Sequence, residues 1–258
     1  MSPKRITRKQ MKRDEFISTV QKLINLGFRY RKQLALVFVV ALVVVLAVFG
    51  WKHYRLQQEL KASVLLSAAL KEFHTPITQP GEISLEDTTK SPSFTSDEEK
   101  YRQALPSFQK VVDSYPRSLS AAQARYYQGV CYLYLNQYED AIKAFQKSVK
   151  STSDRFIKAL SLMSLAHSYD AMGNYQKAAE LYRDNFKALS RVVPKELVLL
   201  DLGKYYEKSD HKNEAMAQYQ RIIDEFPESQ YKDEAQDRLD TLKFSSPEHP
   251  ASSDDNHS

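Results

Sequence analysis

Few residues of this chain have the types and the spacing that metal binding or catalysis requires. Its six histidines are scattered over 258 residues, and no two fall at the spacing of a metal site such as H-E-x-x-H. The only cysteine, Cys131, lies in an apolar stretch, where we expect a small buried side chain rather than a reactive thiol. We therefore predict no metal site and no cofactor. The histidines are His53, His74, His167, His211, His249 and His257.

Motifs for nucleophilic or phosphate chemistry are also missing from the sequence. It contains neither a G-x-S-x-G elbow nor a G-x-x-x-x-G-K-[ST] loop, and its six glycines are isolated from one another. Acidic pairs such as Asp224 and Glu225 fall on helix faces that we expect to be exposed, where solvated charge explains them. We predict that the protein is not an enzyme.

The net charge of +5 comes from one end of the chain. Residues 1–33 contain ten Lys and Arg against Asp14 and Glu15, a balance of +8, which leaves −3 for the other residues. A folded nucleic-acid-binding protein should carry its basic excess on the folded part, so we do not expect a nucleic-acid partner. We interpret residues 1–33 as a basic tail.

An uncharged apolar run occupies residues 34–51, from Leu34 to Trp51. As an α-helix, these residues would reach about 27 Å, close to the thickness of the hydrocarbon core of a bilayer. The alternative, a cleaved signal peptide, would have a shorter apolar core followed directly by small residues, whereas Lys52 and His53 follow here. We predict a single transmembrane helix that is retained in the mature protein.

Lys and Arg are more numerous before this helix than after it, which predicts that the N-terminus stays in the cytoplasm. The domain that follows would then lie on the far side of the membrane, which in a bacterium is the periplasm or the cell exterior; we predict an anchor in the cell inner membrane and a periplasmic domain. Residues 14–30 also carry apolar side chains at helical spacing. They could form a helix that lies flat on anionic lipid, or they could only supply the positive charge that sets the orientation of the membrane helix.

The rest of the chain repeats itself every 37 residues. Each unit has a small residue and a tyrosine on one helix, then Asn136, Gly173 or Asp210 at a turn, then an alanine and an aromatic residue on a second helix. This order is typical of tetratricopeptide repeats, in which small residues let two antiparallel helices approach and aromatic rings fill the space beside them. The predicted repeat-packing residues are Gly129, Tyr132, Ala141, Phe145, Ala166, Tyr169, Ala178, Tyr182, Gly203, Tyr206, Ala215 and Tyr219.

The predicted fold is all-α, with one N-terminal transmembrane helix followed by an α-solenoid of about three to four repeats in residues 98–244, closed by a polar-faced capping helix. The first unit is irregular, because the period places Pro92 where its first helix should be. We expect residues 55–73, which continue the membrane helix, to pack there instead. Residues 52–97 are accordingly a juxtamembrane helix and a Pro/Ser/Thr-rich loop, and residues 245–258 a disordered tail.

One face of the first helix of each unit lines the concave groove of a tetratricopeptide array, and this face is the predicted partner-binding site. Its first third is apolar and the rest is mixed. These side chains could instead pack on the loop at residues 75–97 or on a neighbouring repeat, and the sequence leaves both readings open. The predicted groove residues are Tyr126, Val130, Leu133, Tyr134, Met163, His167, Asp170, Leu200, Lys204 and Glu207.

The exit of the membrane helix, Gly50-Trp51-Lys52-His53-Tyr54, is followed by a polar helix from Gln57 through Ala68. This combination resembles the YfgM-like proteins, which are envelope proteins with one membrane helix and periplasmic tetratricopeptide repeats. The resemblance covers about residues 30–244. It implies an ancillary subunit of the SecYEG translocon that works with a membrane-anchored periplasmic chaperone of the prolyl-isomerase type.

Three functions are compatible with the sequence. The leading one is a membrane-anchored scaffold or chaperone-like protein of the secretion translocon, which binds partner or client proteins through its repeats. The second is a scaffold for envelope assembly or division that is unconnected to secretion. The third is a sensor whose short cytoplasmic tail reports whether the repeats are occupied.

Overall fold

A computed structural model of the chain describes residues 8–76, 94 and 96–244, with side chains described for residues 32–33, 35–76, 94 and 96–244. The predicted disordered tail at 245–258 and most of the predicted loop at 75–97 lie outside the described residues, as does the start of the basic tail. The chain divides into two compact units, with the division after Gln57.

Every regular element among the described residues is an α-helix, which confirms the all-α prediction. The second unit begins inside the first helix, and we call the part of that helix at residues 58–73 the terminal segment of α1. The helices are α1 (Arg8–Phe73), α2 (Asp97–Ser114), α3 (Leu119–Tyr134), α4 (Tyr138–Ser151), α5 (Arg155–Ala171), α6 (Tyr175–Leu189), α7 (Lys195–Lys208), α8 (Lys212–Glu225) and α9 (Lys232–Phe244).

The first unit contains the apolar run that the sequence predicts to be a membrane helix. Within the described residues, one helical stretch, Ala35–Phe73, is long and apolar enough to cross a membrane. Large apolar side chains such as Leu36, Phe38 and Phe49 are exposed along it. Such a surface is unfavourable in water and favourable in lipid, so length, composition and exposure are all compatible with a membrane anchor.

In the second unit, α3–α8 form three helix pairs that follow the predicted repeat. The turn inside each pair contains a residue with positive φ, at 56° for Asn136, 71° for Gly173 and 62° for Asp210, as predicted. The amide after each of these residues donates back to the tyrosine carbonyl of the preceding helix, as from Gln137 to Tyr132 at 2.8 Å. This bond satisfies a carbonyl that the end of a helix would otherwise leave free.

In two of the three helix pairs, a glycine allows the paired helices to come close. A Cβ atom on Gly129 would lie 2.5 Å from the Phe145 ring, and one on Gly203 would lie 2.5 Å from the Tyr219 ring. Phe145 and Tyr219 are fully buried. Among the other predicted packing residues, Ala141, Ala166, Ala178, Tyr182 and Ala215 are buried, while Tyr132, Tyr169 and Tyr206 are half-buried.

The terminal segment of α1 takes the place of the missing first helix, as the sequence predicted. Leu66 and Ala69 form a buried cluster with Tyr101 and Phe108 of α2 and with Ala124 and Cys131 of α3. Polar contacts add to this packing, because the Ser107 hydroxyl donates to the Glu72 carboxylate. Helix α2 continues through Pro106.

The Glu59 carboxylate caps the N-terminus of α3. It accepts hydrogen bonds from the amides of Leu119 and Ser120, at 2.7 and 2.9 Å, and from the Ser120 hydroxyl at 2.6 Å. The first amides of a helix have no partner within the helix and favour negative charge, so a carboxylate is well suited to this position.

Helix α9 closes the other end of the array. Ala235, Leu239 and Leu242 are buried against Tyr219 and Ile222 of α8. The remaining faces of α9 carry charged side chains, as a helix that ends a repeat array requires for solubility.

Candidate partner-binding face

The predicted groove residues lie on the first helices of the three pairs, α3, α5 and α7, and we call the surface they form the first-helix face. On α3, Tyr126, Val130 and Leu133 are half-buried and pack around the buried Phe145 and Leu165. These three side chains are therefore partly committed to contacts between neighbouring repeats, and only part of each is free to bind a partner.

Tyr134 is the most exposed of the predicted α3 groove residues. Tyr134 is 61% exposed, yet its ring is stacked on Tyr101 of α2. The two ring centroids are 4.3 Å apart and the ring planes differ by 10°. Stacking fixes the orientation of a ring that solvent can reach. The pair therefore presents a preorganised aromatic surface to any partner.

Burial of Tyr101, with a smaller contribution from the neighbouring Tyr134, raises the pKa of Tyr101 to about 12. Burial also raises the pKa of Tyr126, although a hydrogen bond with Ser164 lowers it in part. Tyr101 and Tyr126 therefore stay uncharged near neutral pH. The α3 part of the first-helix face is aromatic and neutral.

On α5, the three predicted residues differ in their surroundings. Met163 is half-buried and packs against the cluster around Leu162 and Tyr182, whereas His167 is exposed. Asp170 accepts a hydrogen bond from Lys208 of α7 at 2.5 Å, which links two first helices across the face. Of the three predicted α5 residues, only His167 is exposed.

On α7, the prediction for Leu200 was wrong. Leu200 is 1% exposed and belongs to the cluster of Tyr219, Ile222 and Leu239. The capping helix α9 supplies part of that cluster. The equivalent residues of the first two pairs, Tyr126 and Met163, are half-buried, whereas Leu200 in the last pair is buried. Leu200 is a packing residue and does not line a groove.

The two charged groove residues predicted on α7, Lys204 and Glu207, are paired with α9. Lys204 contacts Glu234 at 2.8 Å, and Glu207 accepts hydrogen bonds from Arg238 at 3.1 Å and from the Tyr219 hydroxyl at 2.8 Å. The Lys204 hydrogen bond holds the pKa of Glu234 below its ordinary value. Lys204, the one lysine among the predicted groove residues, is thus neutralised within the chain.

The arrangement can bury apolar surface, but its paired lysines do not form an anion clamp. A carboxylate binding at α7 would have to break an ion pair of Lys204 or Lys208 before gaining a cation. Over the described part of the chain, no group of three metal-ligating side chains occurs. Cys131 is fully buried, and burial raises its pKa to about 12, so its thiol is unreactive near neutral pH.

Sequence reasoning missed three aromatic residues that support the α3 surface, Tyr101, Tyr127 and Phe73. Tyr101 of α2 stacks on Tyr134, and the Tyr127 ring is stacked on Phe108 at 5.5 Å and meets Phe73 of α1 edge-on at 5.3 Å. A signal for Tyr101 was present, since Tyr138 and Tyr175 follow it at intervals of 37 residues. No comparable column exists for Phe73, because the terminal segment of α1 lies outside the period.

Comparison with known proteins agrees with the helix pairs described above. A protein-family model described as a tetratricopeptide repeat-like domain matches residues 28–244, well over half of the chain. No curated protein sequence matches the chain significantly.

Proposed function

The chain belongs to the tetratricopeptide repeat-like domain family, and from this membership we propose that it is a membrane-anchored scaffold that holds partner or client proteins on the α3 and α5 part of its first-helix face. Tetratricopeptide repeats bind proteins, and the chain has an apolar helix that could anchor them. The observation that carries the proposal is the exposed Tyr134 ring held on Tyr101.

The composition of the face determines the class of partner. Around Tyr126, Val130 and Tyr134 the side chains are apolar or aromatic and uncharged, while the cations of α7 are paired with acidic residues. We therefore propose a partner segment that contributes apolar and aromatic side chains, such as an unfolded stretch or one face of a helix. Acidic C-terminal peptides are poor candidates.

For the cellular setting, we propose that the chain is an ancillary protein of the secretion translocon in the inner membrane, with its N-terminus in the cytoplasm and its repeats in the periplasm. The excess of Lys and Arg before the apolar run supports this orientation. The Gly50 to Tyr54 exit and the polar helix after it support the translocon, through their resemblance to the YfgM-like proteins. SecYEG and a membrane-anchored prolyl-isomerase-type chaperone would be the partners, and the protein itself would have no catalytic activity.

Photo-crosslinking in cells tests this proposal. A photoreactive phenylalanine derivative would replace Tyr134 or Met163, and Ala217, an exposed residue on α8, would serve as the control position. We expect crosslinks to translocon subunits, a periplasmic isomerase or secretory clients at Tyr134 and Met163 but not at Ala217.

Two other outcomes contradict parts of the proposal. Crosslinks only to cell-wall or outer-membrane components would favour the scaffold for envelope assembly or division over the translocon. Silence at Tyr134 and Met163 in a folded protein would show that the first-helix face does not bind partners.

A further inference from the structure

The loops that join one helix pair to the next lie along one edge of the second unit. Arg125 connects the first two of these junctions, because its guanidinium donates to the Pro116 carbonyl at 3.0 Å and to the Ser151 hydroxyl at 3.1 Å. Val149, directly before the second junction, and Val193, within the third, pack against the same buried cluster. We call residues 115–119, 150–156 and 190–194 the junction edge.

The junction edge is rich in unpaired positive charge. Arg117, Lys150, Arg155 and Arg191 are exposed, and within the described part of the chain none of them forms an ion pair. The one acidic residue of the edge, Asp154, already accepts hydrogen bonds from the amides of Phe156 and Ile157. The negative net charge after residue 33 therefore conceals a basic surface.

The same edge exposes two large apolar side chains. Leu119 is 38% exposed and Phe156 is 56% exposed, and they occupy the same position of successive repeats, 37 residues apart. Each lies close in sequence to an arginine of the edge. Cations beside exposed Leu and Phe are typical of surfaces that lie at the boundary between the headgroups and the acyl chains of a membrane. Binding to nucleic acid would require the cations but not Leu119 and Phe156.

The position of the edge along the chain brings lipid within reach. Leu119 donates its amide to Glu59, which is the second residue of the second unit. Gln58 follows Trp51, the end of the apolar run, by only seven positions, and seven residues span at most about 25 Å even when fully extended. With α1 in a membrane, as proposed above, anionic headgroups beside the anchor would be available to every copy of the protein.

We propose that the junction edge binds anionic phospholipid headgroups of the membrane that holds α1, with Leu119 and Phe156 inserted at the interface. Arg117, Lys150, Arg155 and Arg191 would contact the phosphates. This site is separate from the first-helix face, so partner binding and lipid binding can be measured independently.

The test uses the full chain in nanodiscs made of phosphatidylcholine alone or mixed with phosphatidylglycerol. A fluorophore is attached at Ser153→Cys, which is exposed within the junction edge, or at Gln176→Cys, which is exposed at the start of α6. Cys131 is fully buried and stays unlabelled. We expect quenching by a lipid with a spin label near its headgroup to be several-fold stronger with phosphatidylglycerol at position 153, to fall at high salt, and to be unchanged at position 176.

A pair of triple variants with equal change in charge provides the control. Arg117→Glu/Arg155→Glu/Arg191→Glu should abolish the phosphatidylglycerol-dependent quenching at position 153, while Lys143→Glu/Arg183→Glu/Lys212→Glu should leave it unchanged. Equal quenching in the two lipids, equal effects of the two triple variants, or a response of the label to a polynucleotide but not to phosphatidylglycerol would each overturn the proposal. Circular dichroism of both variants checks that the helices are intact.

Discussion

Close approach of paired helices depends on single residues in this protein. Gly129 and Gly203 lie against the rings of Phe145 and Tyr219, and neither ring has solvent into which it can move. The equivalent position in the middle pair is Ala166, which is also fully buried. The same column thus accepts a methyl group in one pair and excludes it in the two others, a difference that the repeat pattern alone does not reveal.

Gly129→Ala should destabilise the second unit by about 1–3 kcal/mol through overpacking, even though alanine favours a helix by about 1 kcal/mol over glycine. Chemical denaturation of the full chain in detergent measures this loss. Phe145→Leu removes the obstructing ring atoms, so the double variant should lose less stability than the two single changes added together. Strict additivity would show that the new methyl group does not meet Phe145.

Asp201 should make folding stability depend on pH. Burial raises its pKa above the ordinary 3.8, with the Tyr182 hydroxyl and Lys204 acting in the opposite direction and Glu234 adding to the rise. The folded state therefore holds this proton more tightly than the unfolded state, and stability is lost as pH rises from the ordinary pKa through the folded pKa. Asp201→Asn keeps an acceptor for the Tyr182 hydroxyl, which lies 3.1 Å from the Asp201 carboxylate.

We expect Asp201→Asn to raise Tm relative to the unchanged chain at neutral pH, and this advantage to shrink as the pH falls toward 4. Thermal unfolding followed by circular dichroism at several pH values measures the difference. Asp224→Asn removes the same charge from an exposed site and serves as the control. An advantage that does not vary with pH would mean that Asp201 does not titrate in this way.

Leu200 and Tyr134 should behave oppositely, although both were predicted to line the groove. Leu200→Ala leaves a cavity in the cluster with Tyr219 and Ile222 and should cost about 2–5 kcal/mol of stability. Tyr134→Ala removes only an exposed stacked ring and should cost about 1 kcal/mol. In the crosslinking assay, the Tyr134→Ala chain with a photoreactive probe at Met163 should capture less partner. Equal stability costs would contradict the different placement of the two residues.

At the scale of helices, the sequence predicted each helix that is marked by turn residues or packing residues of its own. The turn residues Asn136, Gly173 and Asp210 mark the ends of first helices, and the packing alanines and aromatic residues mark second helices. The packing of the end helices was predicted, but their individual polar contacts were not, because they join residues far apart without any period. The pairs of Lys204 with Glu234 and of Glu59 with the start of α3 are of this kind.

Glu59→Ala should destabilise the start of α3 by about 0.5–2 kcal/mol, because it leaves the amides of Leu119 and Ser120 without their acceptor. The stability of Glu59→Gln should lie between that of the unchanged chain and that of Glu59→Ala, since Gln keeps one carbonyl acceptor but loses the charge. Hydrogen exchange of peptides covering the first turn of α3 measures the local effect. Lys61→Ala, two residues along the same helix and exposed, should leave this exchange unchanged.

At the scale of the whole chain, the sequence predicted the architecture. It did not predict which parts of the first-helix face are accessible and which are buried or ion-paired. A repeat in which each pair contacts mainly its neighbours can be extended from one unit to the next, which is why the all-α array was predictable. The two ends of the array break that rule. The terminal segment of α1 supports the aromatic surface at one end, and α9 buries Leu200 and pairs with the charges at the other. Transferring groove positions unit by unit therefore fails at α7.

The terminal segment of α1 should stabilise the helices nearest to it, α2 and α3, more than the rest of the array. Leu66→Asp/Ala69→Asp places two carboxylates in the buried cluster with Phe108 and Cys131, and should release α2 and α3 from their protection against hydrogen exchange. Protection of α8 and α9 should change least, because stability in a repeat array depends on neighbouring units. Val64→Asp/Ala68→Asp, on the exposed face of the same segment, is the matched control. A uniform loss of protection over α2–α9 would show that the array unfolds as one cooperative unit.

The bond between Glu59 and the Leu119 amide also sets an order of events while the protein is being made. The two residues are 60 positions apart, so at about 5–20 residues per second the ribosome needs about 3–12 s to add the partner after the carboxylate has been synthesised. Throughout that interval the apolar run is already complete, whereas the buried cluster of Leu66 and Ala69 with α2 and α3 cannot yet form. The anchor can thus enter its membrane before the first repeat closes, and a nascent chain halted before residue 119 would leave apolar side chains of the terminal segment of α1 without their α3 partners, exposed to the quality-control machinery at the site of synthesis.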